Sequence, residues 1–327
     1  MYDIVGLGSP LLDLIVRVDD DVLAQFDIAK GTMRLIDSAT SRNILKKLEG
    51  RAIEHISGGS AANTLAGLAL LGDRGMFMGV IGDDPHGNIY ADKMIGDGVR
   101  ARLIKHAAHN TGHAITFITP DGERTFAAHL GAAAHFRKEH VEEQAIRESK
   151  MLYIEGYQTE DPLTREAVVH AMTIAKKNGT LIAMDLSDAG LIGRTKDSMR
   201  EIVEKYVDIV FANEEEAFAF TGKKTEAALQ ELSALCPIAI VKRGENGSIV
   251  RANGAVYRID AHRVDVVNTN GAGDMYAAGM LHGIINEYDI PTAGALASRV
   301  AAFVVASPGA RMHEKHHADV KKLIIDL

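Results

Sequence analysis

The run Val267-Asn268-Thr269-Asn270-Gly271-Ala272-Gly273-Asp274-Met275-Tyr276 sets two chemical capacities side by side. It leads into Ala277–Glu287, a stretch of small and apolar residues that predicts a helix. Amides at a helix start have no partner inside the helix and carry the positive end of its dipole. With side chains no larger than a methyl, Gly271, Ala272 and Gly273 let an anion approach those amides closely. Asp274, next in line, supplies a carboxylate able to accept a proton from an attacking hydroxyl. An anion hole beside a base is the minimum equipment for transferring a phosphoryl group to an alcohol. A plain helix N-terminus, with Asp274 as a favourable first-turn charge, would not require that adjacency.

A second segment, Gly58-Gly59-Ser60-Ala61-Ala62-Asn63 and onward to Gly72, is a Gly-Gly turn opening a helix of small side chains. Close helix–sheet packing explains the small residues. The glycine amides and Asn63 are also placed to hydrogen-bond hydroxyl groups of a substrate. Other patterns lead elsewhere. Gly6-Leu7-Gly8 follows a β-prone run, but the third glycine of a dinucleotide fingerprint would fall on Leu11, after Pro10. Gly222-Lys223 lacks the earlier glycine of a phosphate-binding Walker loop. His313, His316 and His317 have helical spacing for a metal, yet Glu314, Lys315 and Asp319 alongside favour a solvated C-terminal face.

Short β-prone runs alternate with longer helical ones along most of the chain: Asp3–Leu7, Ser60–Leu71, Gly75–Ile81, His86–Gly96, and from Met151–Glu155 through to Ile238–Lys242. The β-prone runs are apolar without strict alternation, as in strands covered by helices on both faces. The fold class is therefore α/β, an open, mostly parallel sheet with helices on both sides. Two segments depart from that rhythm. Leu14–Asp19 and Gly31–Asp37 read as short strands, and Thr111–Thr119 and Glu123–Leu130 flank the turn-forming Pro120-Asp121-Gly122. Segments of about 14–38 and 110–131 are expected to build a small β lid standing apart from the main sheet. No linker or repeat divides the chain, so residues 1–327 are expected to form a single domain.

Composition narrows the function. The 327 residues hold 36 Lys+Arg against 44 Asp+Glu, a net charge of −8, and nothing resembles the basic footprint of a nucleic-acid binder. The one cysteine, Cys236, rules out an internal disulfide and a cysteine-based zinc cluster. The first residues lack the basic and apolar regions of a secretory leader, and no apolar run approaches membrane-spanning length. A cytoplasmic setting and a small-molecule partner are the expectation, with no nucleic acid and no membrane.

Taken together, Gly58–Asn63 and Asn270–Asp274, early and late in the chain, resemble the two motifs of the ribokinase/PfkB family of small-molecule kinases. Gly8-Ser9-Pro10-Leu11-Leu12-Asp13 resembles the first-strand segment of the family's adenosine-kinase branch. Gly82–Gly87, Asp121–Arg124, Asn213–Glu216 and Lys242–Gly247 match further family patterns. The resemblance implies a ribokinase-like fold, ATP as phosphoryl donor, Mg²⁺ as counter-charge and a role for a monovalent cation such as K⁺. It makes Asp274 the base and Gly271, Ala272 and Gly273 the anion hole. Ser9, Asp13, Gly58, Gly59, Asn63 and Asn270 would hold the substrate, with Tyr157 as a stacking face for a purine. Asn213, Lys242, Arg243, Gly244 and Gly247 would line the nucleotide, and Glu216 would act on Mg²⁺ through water.

Two departures stand out. Asn268 takes the place where the family's late motif opens with Asp. Asp185-Leu186-Ser187-Asp188-Ala189-Gly190 lacks the phenylalanine with which adenosine kinases stack the base. The first expectation is phosphorylation of a primary hydroxyl of a nucleoside, adenosine to AMP. The alternatives are a sugar kinase for ribose, fructose or 2-keto-3-deoxygluconate, and a non-catalytic nucleoside or nucleotide sensor. A monomer and a homodimer fit equally well.

Overall fold

The structure, a computed structural model, describes residues 1–307 and 309–325. Its strands are Ile4–Leu7 (β1), Leu11–Arg17 (β2), Met33–Leu35 (β3), Ile53–Gly58 (β4), Gly75–Gly82 (β5), Arg100–His106 (β6) and Gly112–Ile118 (β7). They continue with Arg124–His129 (β8), Met151–Glu155 (β9), Leu181–Asp185 (β10), Ile209–Asn213 (β11), Ile238–Lys242 (β12), Ser248–Ala252 (β13) and Ala255–Ile259 (β14).

Nine of them form one sheet in the order β14-β13-β12-β11-β10-β9-β1-β5-β6. The stretch from β12 to β6 is parallel, and the β13–β14 hairpin extends it antiparallel. Strand residues alternate between two apolar layers. Ile4, Tyr153, Ala183 and Phe211 face a core shared with helices Ser60–Leu70, Ala272–Ile285 and Ile290–Val305. Val5, Leu152, Ile182 and Val210 face the other layer, covered by helices Pro162–Asn178, Ala189–Tyr206 and Thr225–Leu235. Burial on both faces accounts for the unbroken apolar runs in these strands. The α/β class with helices on both sides is as the sequence indicates.

Five strands form a second sheet in the order β3-β8-β7-β2-β4. Along β2, Leu12, Leu14 and Val16 are buried in a core with Phe26 and Phe117, whose rings stack at 5.3 Å. Asp13 and Ile15 lie on the opposite, half-buried face. The two expected lid segments supply four of the strands, and β2 begins at Leu11. β4 lies outside those segments. Its run Ile53-Glu54-His55-Ile56-Ser57-Gly58 mixes charged and apolar residues, because only part of it is covered. No helix among the described residues is long and apolar enough to cross a membrane.

Candidate active site

The parallel strands end on polar side chains: Glu155 on β9, Asp185 on β10, Asn213 on β11 and Lys242 on β12. The carboxyl edge of an open α/β sheet is where ligands bind in such folds. Two helices start over this edge. One opens at Gly59 (φ 92°), the other at Gly271 (φ 79°), left-handed backbone that suits glycine. Both positions are also crowded: a Cβ on Gly59 would meet the Ser9 carbonyl at 2.2 Å, and one on Gly271 the Ala310 carbonyl at 2.0 Å. The two helices pack tightly because Gly67 leaves room for Ala278, which a Cβ would meet at 2.7 Å.

That packing brings Asp274 against the other helix. Its Oδ1 accepts from Ser60 Oγ at 2.7 Å and its Oδ2 from Asn63 Nδ2 at 2.9 Å. Burial pushes the Asp274 carboxyl above its ordinary range, and the two hydrogen bonds oppose the shift. Asn63 Oδ1 in turn accepts from Arg311 Nε at 2.9 Å, and Arg311 pairs with Asp97. Asp13 lies behind Gly58, where a Cβ would fall 2.8 Å from its Oδ2. Burial lifts its pKa to about 6, lowered in part by Arg311 and raised further by Asp274.

Lys242 reaches the same place from below. Its Nζ donates to Asp185 Oδ2 at 2.6 Å and lies 3.1 Å from where a Cβ on Gly273 would stand. Burial works against the ammonium, but Asp185 and Glu216 outweigh it and hold it charged. The Glu216 carboxyl is raised to about 7 by burial and then by Asp185. Asn213 and Glu216 form a reciprocal helix cap. Asn213 N–H donates to Glu216 Oε2 at 2.7 Å, its Nδ2 donates to Oε1 at 2.6 Å, and Glu216 N–H donates back to Asn213 Oδ1 at 2.8 Å.

Asp13 and Glu216 set a pH dependence. Both folded pKa values lie above the ordinary 3.8 and 4.5, so the folded state binds protons more tightly. Their stabilising contribution is complete below the ordinary values and is lost as pH rises through about 6 and about 7. The ligand-free protein is therefore expected to melt at a lower temperature at pH 7.5 than at pH 5.5, with Asp13→Asn flattening the lower part of that fall. Thermal melts across this range check it; a melting temperature that climbs from pH 5.5 to 7.5 in both proteins contradicts it.

Two cavities lie near the Asp274 turn: Asp274 itself lines one, and Met275, the next residue, lines the other. One, of about 1010 Å³, is lined by Lys242, Gly244, Gly247 and the Gly271–Asp274 start. The other, of about 1530 Å³, lies between the half-buried face of the second sheet and helix Ser60–Leu70. Ile15 and Ile118 line it from the sheet, Gly67 and Met275 from the helices, and Arg311 from the C-terminal segment. Asn268 spans the sheet and the loop before Gly271: its Oδ1 accepts from Arg124 Nη1 of β8 at 3.0 Å, and its Nδ2 donates to the Gly309 carbonyl at 2.6 Å.

The structure thus brings together Asp274, Gly271, Ala272, Gly273, Asn63, Gly58, Gly59, Asp13 and Lys242. Ser9 is a support: its N–H donates to Glu155 Oε1 at 2.7 Å, and its Oγ accepts from Gln158 Nε2 at 2.6 Å. Tyr157 and Asn270 line the Lys242 cavity, away from Arg311. The Arg243 side chain points toward Glu214, 3.8 Å away, and does not line that cavity. His313 and His317 line the Arg311 cavity, and His316 packs on the Phe303 ring at 4.9 Å, so this is not simply a solvated face.

Sequence reasoning placed Ser60, Arg124 and Asp185 within motifs but gave them no role of their own, and it did not single out Glu155 or Arg311. Glu155 is 1% exposed and accepts the Ser9 and Ala61 amides, which ties β1's exit loop to the helix start. Its position one residue before Gly156, at the end of an apolar strand, was the available signal.

The pfkB family carbohydrate kinase model matches residues 28–316. The chain is 30% identical over 265 residues to 5-dehydro-2-deoxygluconokinase of Clostridium botulinum, covering 76% of this chain and 78% of that one. Among solved structures, a probable sugar kinase protein from Rhizobium etli CFN 42 superposes with a TM-score of 0.89 at 31% identity, covering 98% of both chains. Adenosine kinase from Sinorhizobium meliloti does so with a TM-score of 0.89 at 33% identity, covering 98% of this chain and 99% of that one. The chain belongs to the pfkB family of carbohydrate kinases, and its reaction is phosphoryl transfer to an alcohol acceptor.

Proposed function

We propose that this pfkB-family kinase transfers the γ-phosphoryl group of ATP to a hydroxyl of a sugar acid, of the 2-keto-3-deoxygluconate or 5-dehydro-2-deoxygluconate kind. The observation that carries this reading is the charge of the larger cavity. Arg17, Arg51, Lys93, Arg124 and Arg311 line it against Glu54, Asp92 and Asp97, in a chain whose net charge is −8. Such a lining favours an anionic acceptor over an uncharged nucleoside. Arg311 is the residue best placed for it, since its guanidinium already lies against Asn63, the neighbour of Asp274. A guanidinium holds a carboxylate with paired, charge-assisted hydrogen bonds. Among the described residues no Tyr or Phe lines the Arg311 cavity, and Tyr157 lines the Lys242 cavity, which supports an acceptor other than a purine. The similarity to 5-dehydro-2-deoxygluconokinases agrees with this choice.

In this reading Asp13 and Asn63 hold acceptor hydroxyls. Asp274, fixed by Ser60 and Asn63, takes the proton of the attacking hydroxyl as its oxygen bonds phosphorus and the bond to ADP breaks. A carboxyl raised by burial is a stronger base than a solvated one. The Gly273 amide and the Lys242 ammonium face the charge that develops on the phosphoryl oxygens, and the Ala272 N–H, which donates to the Thr269 carbonyl at 3.2 Å, would have to leave that partner to join them. Gly244 and Gly247 border the nucleotide.

The donor set fits Mg²⁺: Asp185, Glu216 and Asp274 gather three carboxylates against the single Lys242 ammonium, and the Asp185 charge adds to the effect of burial in raising Glu216. With both Glu216 oxygens engaged by Asn213, contact through water suits this residue. When bound, the ion supplies charge neutralisation for the phosphates. At the Asn268 loop, the amide N–H already holds the Gly309 carbonyl, which lessens the need for a monovalent cation there.

Steady-state kinetics with ATP saturating test the reading. Arg311→Gln is expected to raise KM for the sugar acid roughly 10- to 100-fold, the cost of about 1.5–3 kcal/mol for a hydrogen bond to a charged group, while kcat changes little. If adenosine has a higher kcat/KM than every sugar acid, and Arg311→Gln leaves the sugar acids unaffected, the nucleoside alternative stands instead.

A further inference from the structure

We propose that His106, His109 and His135 form a binding site for a divalent transition-metal ion of the zinc class, seated where the chain passes between its two sheets. One ring nitrogen from each residue lies within 4.8 Å of the other two. The ring centroids are 4.7 Å apart for His106 and His109, 4.9 Å for His106 and His135, and 4.0 Å for His109 and His135. A tetrahedral zinc ion with bonds of about 2.1 Å holds its nitrogens about 3.4 Å apart, so the rings need to close by roughly an ångström. Imidazole suits Zn²⁺, Ni²⁺, Co²⁺ and Cu²⁺ and is a poor ligand for Mg²⁺, so the site is chemically separate from the phosphate region. His109 is exposed and the other two are half-buried, which gives an ion a way in and leaves a fourth position for water.

The place in the fold gives the cluster its meaning. His106 is the last residue of β6 in the large sheet, and the chain then runs through His109 into β7 of the second sheet. It leaves the second sheet after β8 and passes through the 3₁₀ turn Gly131–His135 on its way back to β9. The outgoing and returning segments already touch, with Ala132 N–H donating to the Asn110 carbonyl at 2.8 Å. An ion on the three rings would pin them together and stiffen the joint on which the second sheet is mounted.

Binding has identifiable costs. The Ala108 N–H donates to His106 Nδ1 at 3.2 Å, and Arg137 Nη2 lies 3.5 Å from His135 Nδ1. A ring that binds a metal through one nitrogen keeps its proton on the other, so neither Nδ1 can go on accepting. The Arg137 charge also opposes a cation, and Asp161 nearby partly offsets it.

Co²⁺ and Zn²⁺ titrations of the intact protein test the proposal. The expected result is one equivalent of Co²⁺ bound with the visible absorption of a four-coordinate nitrogen site, displaced by Zn²⁺. Zn²⁺ at 100 times its dissociation constant should raise the melting temperature by several degrees. His109→Ala, an exposed position whose loss leaves the core intact, should weaken binding at least tenfold, and His135→Gln likewise. A paired variant, His313→Ala with His317→Ala, should bind as the parent does. Absence of saturable binding overturns the proposal. So does Co²⁺ binding that survives His109→Ala but is lost in the His313/His317 variant.

Discussion

Asp274→Asn is expected to lower kcat by about 10²–10⁴-fold, the usual contribution of a positioned general base, while nucleotide affinity stays close to that of the parent. On the proposed mechanism the change removes the group that takes the hydroxyl proton and leaves the Gly271–Gly273 turn and the Lys242 ammonium in place. The new amide meets two donors, Ser60 Oγ and Asn63 Nδ2, where a carboxylate accepted from both. Both contacts survive only if the amide oxygen accepts from Asn63 Nδ2 and the amide nitrogen donates to Ser60 Oγ, which reverses the serine bond, so circular dichroism and a thermal melt should accompany the kinetics to establish that the fold is kept. Steady-state rates with nucleotide titration decide the matter. A variant that keeps near-parental kcat removes Asp274 from the role of base.

Lys242→Met is expected to destabilise the protein by about 3–5 kcal/mol, the cost of stranding one member of a buried ion pair. Asp185 is 3% exposed and would lose its ammonium partner at 2.6 Å, with the Glu216 carboxylate adding to the repulsion. The Glu216 carboxyl, raised to about 7, is uncharged at pH 5, so the repulsion and with it the deficit should shrink at pH 5 compared with pH 8. Lys242→Met combined with Asp185→Asn should recover most of the loss, since neither charge is left alone. Urea denaturation of the parent, the single variant and the double variant measures this directly. A single variant within 1 kcal/mol of the parent, or a double variant worse than the single, would mean that the pair is not what holds this corner together.

The large sheet was readable because strands covered on both faces leave continuous apolar runs, and Met151–Glu155, Ile209–Ala212 and Ile238–Lys242 all do so. The Gly271–Asp274 turn was readable for a related reason: its chemistry and geometry are local to consecutive residues. β4 was not, since a strand half covered by the neighbouring sheet carries Glu54 and His55 among its isoleucines. Which cavity a side chain faces is a property of tertiary packing and has no local signature. Tyr157 and Asn270 fell on the Lys242 side, and the Ser9 hydroxyl turned inward to Gln158. Arg311 had no signature at all. It follows a small-residue segment without periodicity and matters because the Ala310 backbone is packed against Gly271 and the Gly309 carbonyl against Asn268, which brings the Arg311 side chain to Asn63.

The hydrogen bonds that assemble the site join residues very far apart along the chain. Ser60 and Asp274 are separated by 214 positions, and Asn63 and Arg311 by 248. Each strand end over which they meet belongs to a different βα unit. A fragment released early in synthesis lacks both Asp274 and Arg311, so the acceptor site proposed above assembles only when nearly the whole length has left the ribosome. Contacts of such separation also form late in folding, because loop closure must precede any gain from them. An intermediate can thus possess most of its helices and much of its large sheet while remaining catalytically silent, and recovery of activity on refolding reports the final docking of the C-terminal segment.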